Sequence, residues 1–187
     1  MDNLDIVPTY KFMISLKRIV REIMGDLPPA IVQPHQAQNP TNTVNATMIE
    51  NAHIVAATIW GEARGEGVVG MQAVLNVILN RAGKDINKAA QIVLKPNQFS
   101  FWNKIANPRE YAQHLANTSR AAKNRDAILY QKAIELVDKS ISGQLKDITN
   151  NAKFYFNPKV VKPSWSKKMI KTTTIGNHEF YKLPKKK

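Results

Sequence analysis

Ile59-Trp60-Gly61-Glu62-Ala63-Arg64-Gly65-Glu66-Gly67 joins two helical patterns, one ending near Trp60 and one starting near Val68. It sets two acids beside an arginine and three of its glycines. An acid at the end of a buried helix is a costly structural choice, because desolvation disfavours the charged form. It suits a general acid, which must hold its proton until a leaving group takes it. Glu62 is therefore the candidate catalytic residue, with Glu66 the carboxylate nearest to it in sequence.

The flanking patterns are helical by spacing. Upstream, Asn45 or Thr47 can cap a helix whose apolar stripe is Met48, Ala52, Val55, Ala56 and Ile59. Downstream, Met71, Val74, Leu75 and Ile78 form the buried face of a helix over 68–81. Gln72, Asn76 and Asn80 make a separate stripe of uncharged amides on that helix. Two roles fit them: bonding to neighbouring backbone, or lining a sugar cleft.

Further along, 86–94 reads as a short helix. Lys95 to Trp102 reads as a loop rich in aromatics, in which Phe99 either stacks on a sugar ring or anchors the loop in the core. Residues 117–142 form the longest helical pattern, with Gly143 as its stop. After Asp147 the pattern changes to strands. Residues 152–158 alternate and end at Pro158, while 169–175 and 178–181 flank Gly176-Asn177, a type II′ hairpin signal. The predicted fold class is α+β: a mainly helical body with a small C-terminal antiparallel sheet. Tyr155 either holds a sugar near Glu62 or packs in the sheet. His178 is either a site residue or a partner for backbone. It forms no ligand spacing with His35, His53 or His114, so no metal and no cofactor is expected.

Toward the N-terminus, Met13, Leu16, Val20 and Ile23 mark one face of a basic amphipathic segment within 1–26, docked on the body or touching membrane. The stretch 27–44, with Pro28, Pro29, Pro34 and Pro40 among Gln, Asn and Thr, reads as a linker. The catalytic domain is then 45–187, ending in a basic tail.

Composition narrows the partners. Over 187 residues the net charge is +13, from 27 basic and 14 acidic side chains. Such a balance favours a polyanionic partner. From Lys159 to Lys187 nine lysines face one acid, Glu179. No helix carries the dense Arg/Lys face of a groove reader and no aromatic RNA platform is evident, so nucleic acid is not the expected partner. The absence of cysteine excludes disulfides and thiolate chemistry. No window has the apolar length of a membrane span, and the N-terminus, with Asp2, Asp5, Lys17 and Arg18, does not read as a secretory signal.

Several segments together carry a resemblance. Glu62-Ala63-Arg64-Gly65-Glu66, then Val77-Ile78-Leu79-Asn80-Arg81, Gln98-Phe99-Ser100, Phe154-Tyr155-Phe156-Asn157-Pro158, Trp165, and Ile175-Gly176-Asn177-His178 with Phe180 resemble the spore-cortex-lytic cell-wall hydrolase family in order and rough spacing over about 50–182. Phage endolysins also use that domain. The resemblance implies a lysozyme-like fold and cleavage of peptidoglycan between N-acetylmuramic acid and N-acetylglucosamine. It implies Glu62 as the catalytic acid and lytic transglycosylation, which leaves a 1,6-anhydro-muramoyl end. Expected substrate contacts are Glu66, Gln72, Asn76, Asn80, Phe99, Ser100, Tyr155 and His178. Residues 1–44 lie outside the resemblance, and no spore-type signal or wall-binding repeat is seen. An endolysin is therefore expected: a monomer made in the host cytoplasm that acts on peptidoglycan after release, with the basic segments holding anionic wall or outer-membrane surface.

A hydrolase needs a second carboxylate to activate water or to form a covalent intermediate. Glu66 is the candidate for that alternative, and a non-catalytic glycan-binding module is a further one. Arg64 is expected to turn away from Glu62 toward other groups, Glu66 among them.

Overall fold

The computed structural model describes residues 40–184, with side chains from Asn45 onward. The compact unit that carries the site is Ala46–Lys187. The amphipathic segment within 1–26, most of the linker and the last three lysines lie outside the described residues. Among the described residues no helix is long and apolar enough to cross a membrane.

Helix α1 spans Pro40–Ala63, longer at both ends than the sequence pattern. It begins inside the predicted linker, with proline at the first helical position, where a missing N–H costs nothing. It also runs on through Gly61, where a break was expected. A 3-10 turn, Arg64–Glu66, then leads into α2, Gly67–Ala82. Gly67 takes φ +71° at that junction, a conformation a side chain would strain. Helix α3, Ile86–Val93, is capped by Asp85, whose side chain accepts from the N–H groups of Asn87 and Lys88.

The predicted long helix over 117–142 starts later, at Arg125, and its first two residues end a separate helix that the pattern does not show. Helix α4 spans Pro108–Thr118 and α5 spans Arg125–Ile141. Each has its own asparagine cap: Asn107 accepts from Glu110 N–H, and Asn124 from Ala127 N–H at 2.9 Å. The second cap starts a new helix where the periodicity alone suggested continuation.

Two clusters hold the body together. In the larger, Ile54, Val55 and Ile59 of α1 meet Met71, Val74, Leu75 and Ile78 of α2, and Tyr130, Leu136 and Val137 of α5. Burying each such large apolar side chain contributes about 1.5–3 kcal/mol. In the smaller, Ala73 and Val77 on another face of α2 meet Ala152 and Phe180. Helix α2 thus joins the helical body to the sheet.

The sheet has three antiparallel strands, β1 (Phe154–Phe156), β2 (Ile170–Ile175) and β3 (His178–Lys182), in the order β1-β3-β2. Register is fixed by pairs such as Tyr155 with Phe180 and Ile175 with His178, with an irregularity between Lys171 and Thr173. Alternation along β1 sends its aromatics to two faces. Tyr155 stacks on Phe180, beside the α2 cluster. Phe154 and Phe156 pack with Trp165, from the 3-10 turn Ser164–Lys168, and Trp165 also meets Tyr181. Gly176 takes φ +58°, as the first position of the expected hairpin turn requires.

Candidate active site

Glu62 lies one helical turn beyond Thr58, so both occupy the same face of α1. The 3-10 turn Ser100–Lys104 docks on that face. Trp102 Nε1 donates to Thr58 Oγ1 at 3.0 Å in a buried bond. Glu62 Oε1 accepts from the Phe101 N–H at 2.9 Å and the Ser100 hydroxyl at 3.1 Å. The Phe101 ring fits because residue 61 has no side chain: a Cβ on Gly61 would overlap that ring. Phe101 also meets Trp60, Trp102 and Tyr111 edge-on.

The other oxygen faces the sheet. Tyr155 donates its hydroxyl to Glu62 Oε2 at 3.3 Å. Burial and the Glu62 carboxylate both push the phenol up, so it stays neutral and available as a donor. Three donors from two separate elements therefore converge on one half-buried carboxyl.

Glu66 is held differently. Its Oε1 lies 3.0 Å from His178 Nδ1, and both side chains are only 13% exposed. Its Oε2 is buried without a hydrogen-bond partner. It lies against the hairpin turn so closely that a Cβ on Gly176 would overlap it. A Cβ on Gly70 would come within 2.5 Å of Glu66 Cβ. His178 also sets its ring edge-on to Tyr155 at 5.0 Å. Glu66 and His178 thus brace the tyrosine from behind, and the expected partnership of Glu66 with Arg64 is replaced by this pair. Arg64 instead lies over the Trp60 ring, donates to Gly61 O and sits 3.8 Å from Asp126.

The amide stripe holds backbone. Gln72 donates to Lys146 O, Asn76 accepts from Ile148 N–H, and Asn80 donates to Asp147 and to Ala152 O. Asn76 is 1% exposed and has no surface to offer a sugar. All three side chains tie the 146–152 segment to α2, ahead of β1. Phe99 is also a correction: it is 3% exposed and anchors its loop, leaving no ring face for stacking.

Three further groups enter through the geometry and have no specific role legible in the sequence. Arg81 donates to Lys153 O and to Gln98, and lies over the rings of Phe99 and Phe154, so it ties the loop on one side of Glu62 to the strand on the other. The Phe101 N–H is a backbone donor and Thr58 a helix-interior hydroxyl, neither of which has a sequence signature.

A shallow groove of about 440 Å³ lies beside this assembly, lined by Lys104, Ile105, Asn107, Glu110, Tyr111 and His114 among others. Glu62 is not among its lining residues, although Tyr111 contacts Phe101.

The spore cortex-lytic enzyme of Bacillus cereus is 27% identical over 144 residues, covering 76% of this chain and 48% of that protein. The spore cortex-lytic enzyme of Halalkalibacterium halodurans is 26% identical over 145 residues, covering 76% of this chain and 38% of that protein. The chain therefore spans half or less of the length of these relatives. The catalytic domain of the germination-specific lytic transglycosylase SleB from Bacillus anthracis aligns with a TM-score of 0.48 at 25% identity, over 81% of this chain and all of that one. Residues 65–181 match the family model described as cell wall hydrolase, a match that includes Glu66, Tyr155 and His178 and begins just after Glu62. With more than half of its length inside that model, the chain belongs to the cell wall hydrolase family.

Proposed function

We propose that this chain cleaves the glycosidic bond between N-acetylmuramic acid and N-acetylglucosamine in peptidoglycan, with Glu62 acting first as acid and then as base. Family membership and the spore cortex-lytic relatives support the substrate class. The observation that carries the one-carboxyl chemistry is the sequestration of Glu66 by His178 and the hairpin turn. One oxygen of that carboxylate is buried and the other faces His178, an arrangement poorly suited to activating water.

In this reading the two Glu62 oxygens take different tasks, which their hydrogen bonds support. Oε1 receives a backbone N–H, which cannot accept a proton in return. Oε2 faces only a hydroxyl and is the oxygen that carries the transferable proton. It protonates the glycosidic oxygen as the C1–O bond breaks, and positive charge develops on the muramoyl ring. The Glu62 carboxylate, steadied by Ser100, Phe101 and Tyr155, then takes the proton of that sugar's 6-hydroxyl as O6 attacks C1. A 1,6-anhydro ring and a free hydroxyl on the departing sugar result, and the acid is regenerated. Gln72, Asn76, Asn80 and Arg81 fix the loops around this centre, and Ser100 and Tyr155 position the acid. An endolysin-type role completes the reading, supported by the net charge of +13, which suits an anionic wall.

The deciding experiment digests purified wall with the wild type and Glu62→Gln and weighs the released muropeptides. The expected result is anhydro ends, one water lighter than reducing ends, and loss of nearly all activity in the variant. Reducing ends from the wild type would replace this chemistry with that of a hydrolytic muramidase. Appreciable activity in a folded Glu62→Gln would remove Glu62 from the role. Binding of wall without any cleavage by the wild type would leave a glycan-binding module.

A further inference from the structure

Beyond β1 the chain makes a short turn, Pro158-Lys159-Val160-Val161-Lys162-Pro163, before the Ser164–Lys168 helix. The N–H groups of Val160 and Val161 both donate to Asn157 O, and the Lys159 N–H donates to the Asn157 side chain, so the turn is internally braced. It nevertheless presents two β-branched apolar side chains outward. Val160 is 80% exposed, the largest value among the exposed large hydrophobic residues described, and Val161 is 50% exposed. Lysines flank the pair on both sides, and Lys167 and Lys168 follow, also exposed. No acid occurs between Ile148 and His178.

We propose that this turn docks on the surface of an anionic phospholipid membrane, the two valines entering the headgroup boundary and the lysines meeting the lipid phosphates. Charge alone would suit any polyanion. The valines select the bilayer, because an anionic polymer in water offers no apolar phase in which exposed aliphatic side chains are better off. The turn is also tied to the site, since Lys159 Nζ donates to Asn177 in the hairpin turn that covers Glu66. Docking there would hold the glycan-cleaving face near the membrane surface. The membrane interaction itself does not depend on the proposed reaction.

Sedimentation of the full chain with vesicles tests it, comparing an equal mixture of phosphatidylglycerol and phosphatidylcholine with phosphatidylcholine alone. The wild type should bind the anionic vesicles and release at high salt. Val160→Ser with Val161→Ser should lower the partition coefficient about tenfold through lost apolar insertion. Lys162→Gln and Lys167→Gln should each lower it about fivefold. Activity of the valine variant on purified, lipid-free wall should match the wild type. Equal binding by the wild type and the valine variant would overturn the proposal, whether because binding is purely electrostatic or because another segment carries it. So would equal binding to neutral vesicles, or no binding to either. Inactivity of the wild type on wall would strike the proposed reaction and leave the vesicle result standing.

Discussion

The ring of Phe101 occupies the space that a side chain on Gly61 would fill, and the Phe101 N–H thereby reaches Glu62 on the next residue of the helix. Gly61→Ala should push the ring away and remove that hydrogen bond. Overpacking of this kind costs about 1–3 kcal/mol. The expected outcome is a folded protein with a lower melting temperature and about tenfold or greater loss of wall-clearing rate, by analogy with loss of one charge-assisted donor. Wild-type activity in Gly61→Ala would show that the Phe101 contact is dispensable.

Tyr155→Phe removes the donor to Glu62 Oε2 but keeps the ring stacked on Phe180. It should lower kcat about tenfold or more with little change in KM, because the hydroxyl touches the acid rather than the sugar. Steady-state kinetics on soluble glycan fragments separates the two. A rise in KM alone would place the hydroxyl on the substrate instead.

His178→Ala deprives Glu66 Oε1 of its partner beside an Oε2 that already has none. Leaving a buried polar group unpaired costs about 1–3 kcal/mol. The melting temperature should fall by several degrees in a thermal scan. Glu66→Gln, which keeps an oxygen to face His178 or an amide in its place, should lose less stability and retain measurable lysis. Abolition of lysis with an intact melt would mean that Glu66 takes part in the reaction.

Asp138 lies on α5, where burial and then the nearby Glu135 carboxylate push its carboxyl up to about 6. A folded-state value above the unfolded one means the folded protein binds more protons between the two, so this group lowers stability as pH rises through that window. Asp138→Asn should therefore stabilise the protein at neutral pH, on the order of 1–2 kcal/mol after allowance for solvent screening. The gain should disappear below about pH 4, under both values. Melting curves across that range check the sign; a gain that grows on acidification would contradict it.

Much of this was legible from spacing. The apolar stripes of α1 and α2 and the Gly176 hairpin carry strong local signals, and the structure follows them. The α1 boundary departs from the sequence pattern because glycine usually interrupts a helix, whereas Gly61 makes room for the Phe101 ring beside it. Helix α4 leaves no clear sequence pattern because Ala112 and Ala116 are its only buried positions, too small to stand out. Its separation from α5 depends on Asn124, a cap that only the three-dimensional bond to Ala127 identifies. At the site, Glu62 and Tyr155 were named from the sequence, but their contact spans strands and helices far apart in the chain. The backbone donor at Phe101 has no side-chain identity to read. The Glu66–His178 pair joins a motif near one end of the domain to a turn near the other, and no local pattern links them.

Because Ala73 and Val77 separate α2 from Phe180 and the strand that carries Tyr155, the gap between acid and phenol is a mechanical setting of that small seam. Bulkier residues there should act as a spacer, detuning catalysis while the main helical core stays intact.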